Sequence, residues 1–310
     1  MNTVFEDQLS SSEASEYELA NGIKDEYGAI YSPDGLRLLK GCNVNVYELK
    51  RGTKVICAFA FYECDSLQEI NLPDSVTVIG AHSFARCRNL TTVNLSPTLV
   101  SIEELAFSYC DSLHYFEIPS SVTHIDGNPF GFSAISHVRN FSSAFIVHNK
   151  ALFTKDEKEI IAYWDKLETH YNVPSTVIAI RKDAFYGAKH LRSITLPHSV
   201  EFIGSFAFYC CYNLSSITIP VQVKEIREGT FMGCKNLTLV SFPNSIEVIG
   251  QSAFHFCRNL SSIVIPNSVI SIGTYAFYKC PKLSNVYIPM GTRSQYEMQI
   301  PYLKNQLLEY

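Results

Sequence analysis

Phenylalanine recurs every 23 residues in this chain, at positions 61, 84, 107 and 130 and again at 185, 208, 231, 254 and 277. Three residues later stands cysteine: Cys64, Cys87, Cys110, Cys211, Cys234, Cys257 and Cys280, with Ser133 and Ala188 as the exceptions. Six residues later stands leucine, as at Leu67, Leu90, Leu214 and Leu260. Two apolar residues follow at nine and eleven, as in Ile70/Leu72 and Ile217/Ile219. Then come a frequent Pro, and Val and Ile three apart, as in Val76/Ile79 and Val269/Ile272. A unit this short cannot bury its apolar set alone, so a fixed period of this kind requires a stack.

Each position has a physical reading. Ile-x-Leu alternates in and out, which predicts a short strand with two buried residues. Pro ends that strand because it cannot donate to a ladder. Val-x-x-Ile predicts a second extended stretch. Gly80, Gly204, Gly250 and Gly273 are then expected to allow a turn. Ala-Phe-x-x-Cys places two core contacts three apart, which suits a helical turn or two. Parallel pairing at ~4.8 Å per coil would build ladders of like residues, Phe on Phe and Cys on Cys.

A second unit also occurs twice. YGAIYSPDGLRLLK at 27–40 matches NKALFTKDEKEIIA at 149–162, and VYELKRGTKVICAFAF at 46–61 matches HYNVPSTVIAIRKDAF at 170–185. Each pair reads as a strand, a turn and a returning strand. The predicted organisation is an acidic tail or N-terminal cap at 1–26, a hairpin unit at 27–60 and four repeats at 61–144. A second hairpin unit at 145–184, five repeats at 185–289 and a helical cap at 290–310 complete it. The repeat at Phe130 is degenerate. The fold class expected is α/β: one solenoid of short parallel strands and short helical turns, interrupted by two β-hairpin units.

Composition removes several functions. Hydrophobic residues make up 46% and charged residues 18% of the 310, which excludes a disordered chain. Lys and Arg number 25 against 30 Asp and Glu, and no basic stripe with interleaved aromatics appears, so no nucleic-acid partner is expected. Residues 1–26 hold seven acids and one base, Lys24, a charge of −6 that leaves +1 for the remaining 284. That start reads as a solvated tail or a frayed helix. No run of about eighteen apolar residues predicts a membrane span. The N-terminus lacks the basic start and apolar stretch of a signal peptide. The expectation is a cytoplasmic protein if the chain is complete, and a surface or secreted one if a leader was removed. G-x-S-x-G, P-loop and G-x-G-x-x-G patterns are absent from the sequence.

The pattern Leu-x-x-Ile-x-Leu-Pro-x-Ser-Val-x-x-Ile-Gly-x-x-Ala-Phe-x-x-Cys resembles the BspA-type leucine-rich repeats of Bacteroides-like bacteria. The clearest copies are LSSIVIPNSVISIGTYAFYKC at 260–280 and LQEINLPDSVTVIGAHSFARC at 67–87. The resemblance covers about residues 27–310. It implies a right-handed β/α solenoid, no catalytic residues, no cofactor, and adhesin-like recognition of a protein or glycan. Its motif is structural, so it transfers no functional site.

Individual residues carry competing readings. Ladder Cys at a spacing of 23 do not match zinc-binding spacing and are expected as reduced core thiols, with no metal bound. Cys210, beside Cys211, is expected to be the more exposed of that pair. His114 and His137 both stand seven after a Phe, with His124 in the coil of His114; a stacked metal or pH-sensitive site is one reading, and ordinary surface positions are the expectation. The sequons at Asn89, Asn213, Asn236 and Asn259 are by-products of the repeat. The informative surface is the outward strand face, eight and ten after each Phe. A strip of small polar residues with a few apolar ones, it suits either an exposed sheet or an extended binding face. On it Tyr115, Glu117, Val138, Leu239 and Tyr287 are the candidate ligand-binding residues. A monomeric recognition scaffold is the favoured reading. A self-assembling structural protein is the second. An enzyme using Tyr163, Trp164 and Asp165 is the third.

Overall fold

The computed structural model describes residues 12–310. They fall into two compact units, one ending at Ala144 and the other spanning Phe145–Tyr310. Among the described residues no helix is long and apolar enough to cross a membrane.

Unit 1 begins with a short helix, α1 (Glu16–Asn21), closed by a reciprocal capping box between Ser15 and Glu18. Glu18 also pairs with Arg37 at 2.5 Å, and the Ser12 hydroxyl donates to Glu103 at 2.5 Å. Residues 12–21 therefore pack onto the unit; the part of the acidic start before Ser12 lies outside the described residues. Ile23–Lys24, Ile30–Tyr31 and Arg37–Lys40 pair antiparallel. From Arg37 onward pairing is parallel, through Val55–Ile56, Val78–Ile79, Ser101–Ile102 and His124–Ile125. Val46–Glu48, Glu69–Asn71 and Thr92–Asn94 form a separate parallel ladder. Tyr115–Ile118 and His137–Asn140 form another.

Unit 2 follows the same order. Phe145–His148, Ala151–Thr154 and Glu159–Tyr163 pair antiparallel, and Glu159–Tyr163 then pairs parallel with Ala179–Ile180. Ala179–Ile180 pairs in turn with Phe202–Ile203. Glu225–Ile226, Val248–Ile249 and Ser271–Ile272 repeat that parallel pairing. The Ile-x-Leu strands pair as His170–Asn172 with Ser193–Thr195, Ser216–Thr218 with Leu239–Ser241, and Ser262–Val264 with Asn285–Ile288. A parallel β-solenoid is thus the architecture within each unit.

The expected helical turn around each Phe is absent. A helix would send every N–H back along its own chain. Here Ala60, Tyr62 and Cys64 donate to the residue three back, whereas Phe59, Phe61 and Glu63 donate to Ala81, Ser83 and Ala85 of the next coil. The same alternation recurs from Asp183 to Ala188. Residues two before and two after the Phe adopt positive φ, as at His82/Arg86, Phe206/Cys210 and Ser252/Phe256. A left-handed non-glycine residue costs on the order of 1 kcal/mol or more, about what one inter-coil hydrogen bond returns. The turn is therefore stable only when stacked, and it forms a third hydrogen-bond ladder.

The glycines after Val-x-x-Ile also differ from expectation, since none of Gly80, Gly204, Gly250 and Gly273 has positive φ. A Cβ there would stand 2.4–2.8 Å from backbone atoms of the preceding coil. Close approach of two chains, rather than turning, excludes a side chain.

The core is a set of like-residue columns. Phe61, Phe84 and Phe107 stack with centroids 5.1 and 5.2 Å apart. Phe185, Phe208, Phe231, Phe254 and Phe277 stack at 5.1–5.4 Å. Each such pair contributes about 0.5–1.5 kcal/mol beyond burial. All ten cysteines are free and buried. From Cys87 on, each ladder thiol donates to the carbonyl of the preceding coil's Phe, at 3.0 Å for Cys87 and 3.2 Å for Cys257. Burial pushes these thiols up, Cys64 to about 11 and Cys280 to about 12, with Cys110, Cys234 and Cys257 well above the ordinary value.

The C-terminal segment ends all three ladders of unit 2. The side chain of Gln299, in α2 (Arg293–Gln299), accepts the Ile272 N–H at 2.7 Å. Tyr302 accepts the Phe277 N–H at 3.2 Å, and Leu307–Glu309 pairs in parallel with Asn285–Ile288. These are the hydrogen bonds that a further coil would have made.

Candidate recognition surface

Strand alternation places Tyr115 and Glu117 outward between the buried residues Phe116 and Ile118. Tyr115 is 49% exposed, and its hydroxyl donates to Glu117. That carboxylate acceptor holds the phenol above its ordinary value. Beside them Arg139 lies 3.8 Å from Glu117, and its guanidinium sits 4.6 Å from the centre of the Phe141 ring. Thr92, Asn94, Pro97, Tyr115, Glu117 and Phe141 line an open groove of about 480 Å³. Asn94 is itself held by Asn71, whose side-chain oxygen accepts from it at 2.5 Å.

Val138 does not join this face. It pairs with Phe116, and His137 and Arg139 pair with Tyr115 and Glu117. The degenerate coil is one residue shorter than the others: Ile135, fully buried five after Phe130, occupies the place that Leu takes six after Phe elsewhere. Every later position in that coil shifts by one, which turns Val138 to the half-buried side and brings Arg139 outward. The buried Ile135 was the signal that marks the shift. His114 and His137 are exposed and apart, since His137 stands opposite Tyr115 while His114 Nδ1 lies 3.2 Å from the Ala134 carbonyl oxygen. His124 instead meets the Thr123 hydroxyl at 2.8 Å.

In unit 2 Leu239 is 60% exposed on the outward face, with Val264 exposed on the next coil. Tyr287 is half-buried in the strand that the C-terminal segment covers. The residues singled out in the second hairpin serve packing and turning. Tyr163 is buried with its ring 4.6 Å from Tyr171 and 5.1 Å from Phe185, and Trp164 is buried. The Asp165 carboxylate accepts from the Leu167 and Glu168 N–H groups. Cys210 is buried rather than exposed; burial raises its thiol while Tyr212 and Tyr209 oppose that shift. The sequon asparagines form a ladder, with Asn259 donating to Asn236 and Asn236 to Asn213, both at 3.0 Å. Among the described residues no group of His, Cys, Asp and Glu is arranged to hold a metal ion.

Parallel coils with Leu and Ile columns facing inward define a leucine-rich repeat solenoid. The family model for the BspA type leucine rich repeat region matches residues 36–158 and 162–296, in six copies, and the chain belongs to that family. A leucine rich cell surface protein of Faecalibacterium prausnitzii is 32% identical, with a TM-score of 0.69 over 77% of this chain and 64% of that one. The pneumococcal vaccine antigen PcpA shares the fold, at 24% identity and a TM-score of 0.53 over 80% of this chain and 55% of that one. The chain therefore spans less than two thirds of the length of either. No curated protein matches it.

Proposed function

We propose that this chain is a non-enzymatic recognition scaffold that binds a protein or glycan through its outward strand face. The observation that carries the reading is the groove of unit 1, where exposed Tyr115 and Phe141 flank the Glu117–Arg139 pair. Aromatic rings offer apolar contact at low entropic cost, and a carboxylate beside a guanidinium supplies oriented acceptors and donors. In unit 2, Leu239 and Tyr287 are the candidates on that unit's own strand face. The likeness to a protein described as a cell surface protein favours an adhesin-like role over a cytoplasmic one. On this reading, residues 27–60 and 145–184 are inserted hairpin units that each lead into a repeat array, of four and five repeats.

The test is a glycan array and a surface-protein pull-down with the full chain, repeated with Tyr115→Ala/Glu117→Gln. A bound partner lost at least tenfold by the double variant supports the reading. Binding that survives it unchanged overturns the groove as the site. A self-assembling structural protein is the alternative, supported by Leu239 and Val264 exposed on adjacent coils. Light scattering showing concentration-dependent oligomers that Leu239→Ser abolishes would favour it.

A further inference from the structure

The turn edge of unit 2 carries a charge pattern that the linear sequence hides. Positions one to six after each Phe are 186–191, 209–214, 232–237, 255–260 and 278–283. They hold Lys189, Lys235, Arg258, Lys279 and Lys282, and neither Asp nor Glu. The same positions of unit 1 include Glu63, Asp65 and Asp111. Spread over four of the five repeats, the cations form no run, but stacking brings them onto one edge with Tyr186, Tyr209, Tyr212, Phe256 and Tyr278. Tyr186 and Tyr209 stack at 4.7 Å.

Two rungs of this edge carry no side chain. Two residues after the Phe, the left-handed residue projects its side chain along the edge, as Tyr109 and Phe132 do when they stack at 4.7 Å in unit 1. In unit 2 the corresponding run is Gly187, Cys210, Gly233, Phe256 and Lys279, with Gly187 at φ +74°, Gly233 at φ +77° and Lys279 Nζ 4.7 Å from the centre of the Phe256 ring. With no side chain at Gly233, Cys210 and Phe256 stand two coils apart, where successive coils are 5.4 and 5.3 Å apart at the Phe column. The Cys210 thiol fills the near part of that interval, 2.7 Å from where a Gly233 Cβ would stand, and the His255 ring stacks on Phe256 at 4.3 Å. At the other left-handed glycine of this coil, Gly229, a Cβ would likewise meet a neighbour, the Phe206 ring at 2.2 Å.

Beside Gly233 the surface keeps a notch of about 200 Å³. Tyr209, Tyr212, Met232 and Phe256 give it apolar walls, the Cys210 thiol lies at its back, and Lys235 and Arg258 stand at its rim. Both cations are exposed. Lys235 Nζ is 4.0 Å from the centre of the Tyr212 ring, and the Arg258 guanidinium is 6.0 Å from that of Phe256. Apolar walls select a ring, and two cations on an acid-free edge select a negative charge next to it.

We propose that the notch beside Gly233 binds an aromatic ring bearing an anionic substituent, with the ring on the Tyr212, Met232 and Phe256 walls and the anion between Lys235 and Arg258. The test is titration of the full chain with phenyl phosphate, inorganic phosphate and phenol, followed by calorimetry or ligand-observed resonance. The variants are Lys235→Gln, Arg258→Gln and, on the same edge outside the notch, Lys282→Gln. Phenyl phosphate is expected to bind more tightly than either half-ligand and to weaken about tenfold for each rim cation removed. Lys282→Gln is expected to leave it unchanged. All three substitutions are at exposed positions and preserve the core. Absence of phenyl phosphate binding, equal affinity for inorganic phosphate, or equal loss in Lys282→Gln overturns the proposal. So does a preference for a single-stranded oligonucleotide that all three substitutions weaken alike, which would assign the edge to diffuse polyanion binding.

Discussion

Raising the pH should unfold this protein through its buried thiols. An unfolded cysteine ionises near pH 8.5, whereas burial holds Cys42, Cys57 and Cys64 at about 11, Cys280 at about 12, and Cys110, Cys234 and Cys257 well up. The native state therefore keeps protons that the unfolded state releases, and stability falls as pH rises between the two values. At pH 9.5 each such thiol has lost about 1.4 kcal/mol relative to neutral pH. The four ladder thiols of unit 2 together lose about 6 kcal/mol, against a total stability on the order of 5–15 kcal/mol for a typical domain. Urea unfolding of the full chain under reducing conditions, followed by circular dichroism at pH 7.5, 8.5 and 9.5, measures the slope. The expected result is a steep fall above pH 8.5. Cys234→Ala and Cys257→Ala should each make that slope shallower by about one proton while lowering stability at neutral pH. A urea midpoint that does not move between pH 7.5 and 9.5 would refute the argument.

Phe231→Ala removes a fully buried ring that touches rings on both sides and should cost about 3–5 kcal/mol, whereas exposed Phe141→Ala should stay within about 0.5 kcal/mol. Denaturant midpoints check both, and equal costs would contradict the column as the stabilising element. Gly273→Ala sets a Cβ 2.4 Å from the Gln251 backbone nitrogen, so it should lower stability by about 1–3 kcal/mol although φ there is ordinary. A thermal midpoint equal to wild type would show that the coils separate without cost.

Period and burial were legible in the residues because every coil repeats the same demand. Phe61 and Phe254 needed only a count of 23 to be placed in a column. The turn was not legible, since Phe59 and Phe256 in the left-handed region violate local preference and are held there by bonds to the next coil. Nor was the shortened coil at Phe130, where counting from Phe sets Val138 outward and only the buried Ile135 shows the slip. Of the five outward candidates, Tyr115, Glu117 and Leu239 follow simple alternation. Tyr287 is partly covered by a segment outside the repeat, and Arg139 enters the face only through the lost residue. The basic edge of unit 2 stayed hidden because its members are about 23 residues apart and become neighbours only through stacking.

The way unit 2 ends bears on how its length can change. Gln299, Tyr302 and the strand Leu307–Glu309 each bond the last coil on one of the three ladders that an internal coil shares with its successor. The segment behaves like a chain terminator: it recognises the end of a coil without reading which coil it is. A gene that loses or duplicates one 23-residue module ahead of it would still yield a closed stack, so the number of coils is free to drift while the terminator stays fixed.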